Sequence, residues 1–331
     1  MKANELEKAR QLLCRLQEEI RTVVTKTRGR GAGRLSRVAA VTAADTIYAV
    51  DRVSEKVILT WFGRHWPRHW PVELVMEGLE GPAATLPAST PVKETLWKCI
   101  IDPIDGTRGL MYDKRSAWSL AALAPQRGPR TNLSEIVVAV MTELPTAKAG
   151  AADQYSAVRG GGVRGVRTDL RTGRTRRLAA KPSVARQVTH GYASFAKFFP
   201  EGKGVLAALE EKLWRRLCST DSPHGIAVFD DQYLSTGGQL HELLAGHDRF
   251  IADLRPLVPR GRRGSGALAC HPYDICTALI AQEAGCVVTA PDGGPLRAPL
   301  DTTTPVAWVG YANGALARSI GPQLRRLLRG E

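Results

Sequence analysis

Apolar residues recur at spacings of three and four near the start of the chain. Leu6, Ala9, Leu13, Leu16, Ile20 and Val23 predict an amphipathic helix over residues 4–26. Asn4 followed by Glu7 resembles a capping box, with Asn in place of Ser or Thr. Thr27 to Arg37 reads as a basic, glycine-rich loop. A second helix is predicted from about Ala43 to Phe62, with Ile47, Val50, Val53 and Val57 facing inward. Trp66, Pro67, Trp70 and Pro71 then break the chain. Apolar runs with strand character follow at Leu74 to Met76, Leu96 to Ile101, Ser119 to Ala124 and Ile136 to Met141. Tyr155 to Val158, a Gly160-Gly161-Gly162 turn and a further strand predict a hairpin.

The second half alternates helix and strand patterns. Helices are predicted over Val205 to Leu217, Ser235 to Ala245, Ile275 to Ala284 (starting just after Asp274) and Gly314 to Leu328. Strands are predicted at Phe250 to Asp253, Cys286 to Thr289 and Val306 to Gly310. Residues 256–268 form a Pro/Gly/Arg loop. The alternation favours a layered α/β or α+β architecture. A boundary near residue 185 divides an N-terminal α+β part, 1–185, from a C-terminal α/β part, 186–331.

Composition narrows the class. The 331 residues suffice for one large domain or two ordinary ones. No apolar run approaches the roughly 20 residues needed to span a bilayer. The charged N-terminal segment lacks the apolar core of a signal peptide, so the protein is expected in the cytoplasm. Six scattered cysteines form no Cys-x-x-Cys pair and match no zinc spacing. The formal charge of +14 attracts anions. Much of it lies in one stretch, Arg159 to Arg186, which reads first as a solvated hairpin. Tyr155 is the only aromatic nearby, which weighs against a nucleic-acid surface, because such surfaces interleave stacking rings.

The candidate chemistry is centred on Asp102-Pro103-Ile104-Asp105-Gly106-Thr107. Two aspartates this close repel unless a cation neutralises them. Proline restricts the backbone between them, so both carboxylates can face one point. Gly106 and Thr107 offer backbone N–H groups, and a helix starting there would favour an anion. Hard oxygen ligands beside an anion cradle suit metal-assisted phosphate hydrolysis. The alternative is an Asp-rich turn that only caps a helix. Asp45, Glu77 and Asp274, taken singly, read as caps or surface acids.

Together these residues resemble the inositol monophosphatase family. The resemblance rests on Trp97 to Thr107 for the family's central motif and on Thr42 to Asp45 for its early Thr-x-x-Asp. It extends to Asp274 through Glu283-Ala284-Gly285 for the late element, and to Ser235-Thr236-Gly237-Gly238 for a helix start facing the substrate. It covers most of the chain in the right order. There are departures. Met76-Glu77-Gly78 replaces Gly-Glu-Glu, leaving Glu80 as an alternative to Glu77. Tyr273 stands where tryptophan is usual, and residues 256–268 are an insertion. Arg108-Gly109-Leu110 is closer to the 3′-phosphoadenosine 5′-phosphate phosphatases than to the inositol branch, which leaves the substrate open.

The resemblance implies a layered α-β-α-β-α sandwich of the sugar-phosphatase type and a lithium-sensitive phosphomonoesterase with two or three Mg²⁺ ions. Glu77, Asp102 and the Ile104 carbonyl would hold one ion. Asp102, Asp105 and Asp274 would hold another, with Asp45 nearby or serving a third. Thr107 and Glu77 would orient the attacking water, and the Gly106 and Thr107 N–H groups would hold the phosphate. Gly237 and Asp253 fall near positions that contact the rest of the substrate. Arg108, Lys114, Arg115 and Arg255 are candidates for reading a second phosphate. The expected partner is a small phosphorylated metabolite, and a homodimer is what the family suggests. A 3′(2′),5′-bisphosphate nucleotidase or fructose-1,6-bisphosphatase is the nearest alternative. A non-catalytic homologue binding an anion or nucleic acid through the arginine-rich stretch is the alternative of another class.

Overall fold

The computed structural model describes residues 3–29, 38–41, 46–79, 84–218, 227–258 and 268–331. Helix α1 (Ala3–Gly29) matches the first apolar stripe. Strands β1 (Val38–Val41) and β2 (Thr46–Tyr48) pair as a small antiparallel ribbon. Helix α2 (Ala49–His65) therefore starts later than the predicted 43–62, and residues 43–45 lie outside the described set. Thr46-Ile47-Tyr48 combines β-branched and aromatic residues that suit a strand, and pairing with β1 captures them.

An eight-stranded sheet follows. It comprises β3 (Val72–Met76), β4 (Ala84–Leu86), β5 (Trp97–Asp105), β6 (Ala117–Pro125), β7 (Val138–Leu144), β8 (Ala151–Val158), β9 (Val163–Asp169) and β10 (Thr175–Leu178). The spatial order is β10-β9-β8-β7-β6-β5-β3-β4, antiparallel except where β3 meets β5. The strand predicted over 136–141 sits later, because Asn132 caps a short 3-10 turn at Leu133–Glu135.

A second sheet has the order β12-β11-β13-β15-β14. Its strands are β11 (Gly191–Phe195), β12 (Val228–Phe229), β13 (Asp248–Asp253), β14 (Val287–Thr289) and β15 (Trp308–Tyr311).

Helices fill three layers. α1 and α2 cover the outer face of the large sheet. Between the sheets lie α5 (Thr236–Ala245), α6 (Pro272–Ile275) and α7 (Ala278–Glu283). Helices α4 (Lys203–Leu217) and α8 (Gly314–Leu328) cover the far face of the small sheet. The result is an α-β-α-β-α sandwich.

Period-2 alternation explains why the central strands read as unbroken apolar runs. Trp118, Leu120, Ala122 and Ala124 face the inter-sheet core, while Ala117, Ala121 and Leu123 face α1 and α2. Both faces of β6 are covered, so neither face needs polar residues. The expected division near residue 185 falls between β10 and β11, yet the inter-sheet core draws side chains from both sides of it.

Candidate metal centre

Strand β5 does not end before the aspartates, as the apolar run suggested. It continues through Pro103 to Asp105. Residues three apart on a regular strand point to opposite faces. Here the register slips: Asp102 pairs with Leu120 and Asp105 with Trp118, so four residues of β5 span three of β6. The extra residue restores the two carboxylates to one face, toward the central helices. Pro103, which has no N–H to donate, sits inside this irregular stretch. Gly106 follows at φ 90°, a left-handed conformation that suits glycine. It starts the short helix α3 (Thr107–Met111).

The third carboxylate arrives from the other half of the chain. Asp274 lies in the first turn of α6, and the predicted continuous helix over 275–284 is two short ones, α6 and α7. The His271 backbone N–H donates to Asp274 Oδ2 at 2.5 Å, so this residue does cap a helix. Capping and metal binding are compatible for a group with two oxygens. Ligand oxygens of Asp102, Asp105 and Asp274 all lie within 4.8 Å of one another.

Each aspartate is held by specific donors. Ile104 N donates to Asp102 Oδ1 at 2.9 Å. Ser235 Oγ donates to Asp105 Oδ2 at 2.9 Å, and Gly237 N donates to the same oxygen at 2.5 Å. Thr107 Oγ1 donates to the Ile104 carbonyl at 2.7 Å. Glu77, just past β3, lines the same cleft, as do Ile104, Gly106, Thr107 and Arg108.

Burial raises the Asp102 carboxyl well above its ordinary range, and Glu77, Asp105 and Asp274 push it further. Burial also raises Asp105 to about 6, against the downward pull of the Gly237 N–H, the Ser235 hydroxyl and Arg255. Buried carboxylates that repel one another at such distances are costly without a cation. Their chemistry, all hard oxygen donors, fits a small divalent ion such as Mg²⁺.

Several expected residues occupy other places. Gly237 lies behind Asp105 rather than on the cleft surface. A Cβ there would stand 2.7 Å from Leu120 Cδ2 and 3.0 Å from Trp118 Cβ. Asp253, fully buried at the end of β13, is held by Arg255 through Nε at 2.8 Å and Nη2 at 2.5 Å. Arg255, not Asp253, reaches the cleft wall. Asp45 and Glu80 lie outside the described residues, as does most of the 256–268 insertion.

The cleft also contains residues that sequence reasoning did not single out. Phe198 and Phe199 line it, with the Arg255 guanidinium 4.5 Å from the Phe198 ring centre. His271 and Tyr273 stack with centroids 5.4 Å apart, and Tyr273 Oη meets His271 Nδ1 at 3.2 Å. The motif in which Tyr273 replaces tryptophan pointed to this place. Nothing in the local pattern marked Phe198 and Phe199.

No protein-family profile matches the sequence, and no curated protein matches it. Solved structures do match in fold. Extragenic suppressor protein SuhB from Bartonella henselae is similar at 16% identity and a TM-score of 0.65, over 96% of this chain and 99% of that one. Leishmania major fructose-1,6-bisphosphatase in holo form aligns at 14% identity and a TM-score of 0.67, over 97% and 93%. Staphylococcal inositol monophosphatase-1, in a LiCl-soaked inhibitory complex, aligns at 15% identity and a TM-score of 0.62, over 96% and 94%. The chain therefore has the sandwich fold shared by these proteins, along nearly its whole length. No helix among the described residues is long and apolar enough to cross a membrane.

Proposed function

We propose that this chain is a Mg²⁺-dependent phosphomonoesterase acting on a small phosphorylated metabolite. The observation that carries the reading is the convergence of Asp102, Asp105 and Asp274 on one point. A pure capping role does not account for three acids that converge from the end of a buried strand and the first turn of α6. The fold shared with two named phosphatases supports the same reading.

Asp102, Asp105, Asp274, Glu77 and the Ile104 carbonyl would hold two or three Mg²⁺ ions, with Asp45 as a further candidate. With ions held there, the site would have a water acidic enough to attack at neutral pH and positive charge for the leaving oxygen. The chain's own groups do the positioning. Thr107, anchored on the Ile104 carbonyl, would orient the attacking water together with Glu77. The Gly106 and Thr107 N–H groups and Arg108 meet the phosphate oxygens, since phosphoryl transfer depends on alignment and charge stabilisation. Asp105 is kept in place by Ser235 and Gly237. No covalent phosphoenzyme is required. Lithium inhibition, a homodimer and a cytoplasmic setting belong to this proposal.

Phosphate release from a broad phosphomonoester panel, with and without Mg²⁺, is the test. Metal-dependent release abolished by Asp105→Asn is expected, and no release from any ester overturns the reading.

One observation favours a substrate with a second anionic group. Beyond Gly106 and Arg108 lies an adjoining pocket of about 490 Å³, against about 80 Å³ at the carboxylates. Lys114, Arg115 and Tyr233 line it, with Asp231 pairing Arg115 at 2.6 Å and leaving Arg108 and Lys114 as its cations. Ranking adenosine bisphosphates, fructose bisphosphate and inositol phosphates by kcat/KM separates the options. A preference for a monophosphate without a second charge removes this second reading.

A further inference from the structure

The arginine-rich stretch has two sides, and they differ. Arg171 and Arg174 sit at its tip, the turn between β9 and β10, and are exposed, as are Arg176, Arg177 and Lys181. Its inner side packs toward the C-terminal end of α5 and forms a pocket of about 440 Å³. Arg167, Arg176, Arg177, Lys181, His241 and His247 line it.

Strand register explains the concentration of charge. Asp153 pairs with Arg167, and Arg167 with Arg176, so these three lie in one row on one face. The next row is Tyr155, Gly165 and Leu178. A Cβ at Gly165 would stand 2.9 Å from the Tyr155 ring, so glycine lets the ring form the pocket floor.

Arg167 is satisfied by two 2.6 Å hydrogen bonds to Asp153. Arg176, directly opposite it, has no carboxylate partner among the described residues, nor do Arg177 and Lys181. Like charges paired across strands are destabilising, and here Asp153 offsets the charge of Arg167 while that of Arg176 stays free of a carboxylate among the described residues. His241 adds to the positive field. Burial pulls its pKa down, but Asp153 and Glu242 hold it up at about 9.

Backbone hydrogen bonds also fix one wall of the pocket. Lys181 N donates to the Leu244 carbonyl at 2.8 Å, tying the wall to α5. The neighbouring Leu243 and Glu242 carbonyls accept from Gly246 N and from Gly246 N and His247 N. The negative end of the helix is thus capped, which lessens its repulsion of an incoming anion.

We propose that this pocket is a second anion site, taking the phosphate group of a small phosphorylated ligand. Arg176 and Lys181 are the ligand-contacting residues, with His241 behind them. A guanidinium matches phosphate oxygens in pairs. Tyr155 is 2% exposed and offers no open ring for a base to stack on, which disfavours a nucleic-acid strand. The site is separate from the carboxylate cleft, though α5 links them: His241 lies on the helix whose first turn holds Asp105. The inference does not rest on the phosphatase reading.

Inorganic phosphate is the probe, titrated into the full-length chain in EDTA at constant ionic strength, with melting temperature as the readout. EDTA keeps the carboxylate cleft free of metal and repulsive to anions. A saturable rise in melting temperature is expected. The double variant Arg176→Glu, Lys181→Glu should raise the half-saturating concentration by roughly tenfold or more. The double variant Arg171→Glu, Arg174→Glu changes net charge equally at the tip and should leave it unchanged. Both variants alter exposed side chains, and matching circular dichroism shows that they fold. Equal weakening by both pairs would mean diffuse charge and overturns the proposal, as does the absence of a saturable rise in wild type. Tighter binding of single-stranded RNA, lost equally in both variants, would replace the pocket with an extended polyanion surface.

Discussion

The backbone N–H of Gly237 donates to Asp105 Oδ2 at 2.5 Å, joining residues 132 positions apart. Ser235 Oγ reinforces the same oxygen. The start of α5 thus holds a carboxylate that belongs to β5, and the inter-sheet helix layer sets the geometry of the acidic cluster.

Gly237→Ala tests that relationship. The new Cβ would press on Leu120, Trp118 and, at 3.1 Å, Asp105 Oδ2 itself. Overpacking of this kind costs about 1–3 kcal/mol. Denaturant unfolding should show that loss. If the phosphatase reading holds, kcat should fall more than the stability change alone explains.

Asp105 makes the metal-free protein pH-sensitive. Its pKa rises on folding from the ordinary 3.8 to about 6 because of burial. The neutral acid is therefore the form that the fold prefers. Its stabilising contribution is complete below about pH 4 and is lost as pH rises through about 6. Asp105→Asn should match wild type near pH 4 and exceed it at pH 7.5 by about 2–3 kcal/mol in EDTA. Adding Mg²⁺ should reverse the order at pH 7.5 and release protons, which calorimetry in buffers of different ionisation enthalpy reads.

The Arg255–Asp253 pair is buried on both sides, with side chains 6% and 0% exposed. Arg255→Met leaves a buried carboxylate unpaired, a loss of about 3–5 kcal/mol. The double variant Asp253→Leu, Arg255→Met should recover most of it. Chemical denaturation of both single variants and the double completes the cycle, and additive losses would deny the coupling.

Thr107→Ala removes a 2.7 Å hydrogen bond to the Ile104 carbonyl. A stability loss of about 1 kcal/mol is expected. On the proposed function, kcat should drop by about 100-fold, the ordinary scale for a residue that aligns a proton transfer. Thr107→Ser should restore most of the rate.

Much of the fold was legible along the chain. The stripe from Leu6 to Val23 marked α1, and the pattern at Gly314 to Leu328 marked α8 with its observed ends. Both are amphipathic helices with one solvated face, where period alone is informative. Boundaries failed where short-range rules compete. Thr46 to Tyr48 continued a helical pattern but pairs as a strand. Ile275 to Ala284 read as one helix, yet it breaks between α6 and α7.

The acidic loop shows the division most clearly. Local sequence determined that Asp102 and Asp105 flank Pro103 after an apolar strand, and resemblance in motif order selected Asp274 from many other acids. Only the tertiary structure decided that the two strand aspartates share a face. That outcome depends on a register slip against β6, and pairing register is a property of two strands, not one. Tertiary structure likewise put Arg255 on the cleft wall with Asp253 behind it, and brought Phe198 and Phe199 to the same cleft. These placements come from contacts between segments far apart in the chain, which no window along the sequence contains.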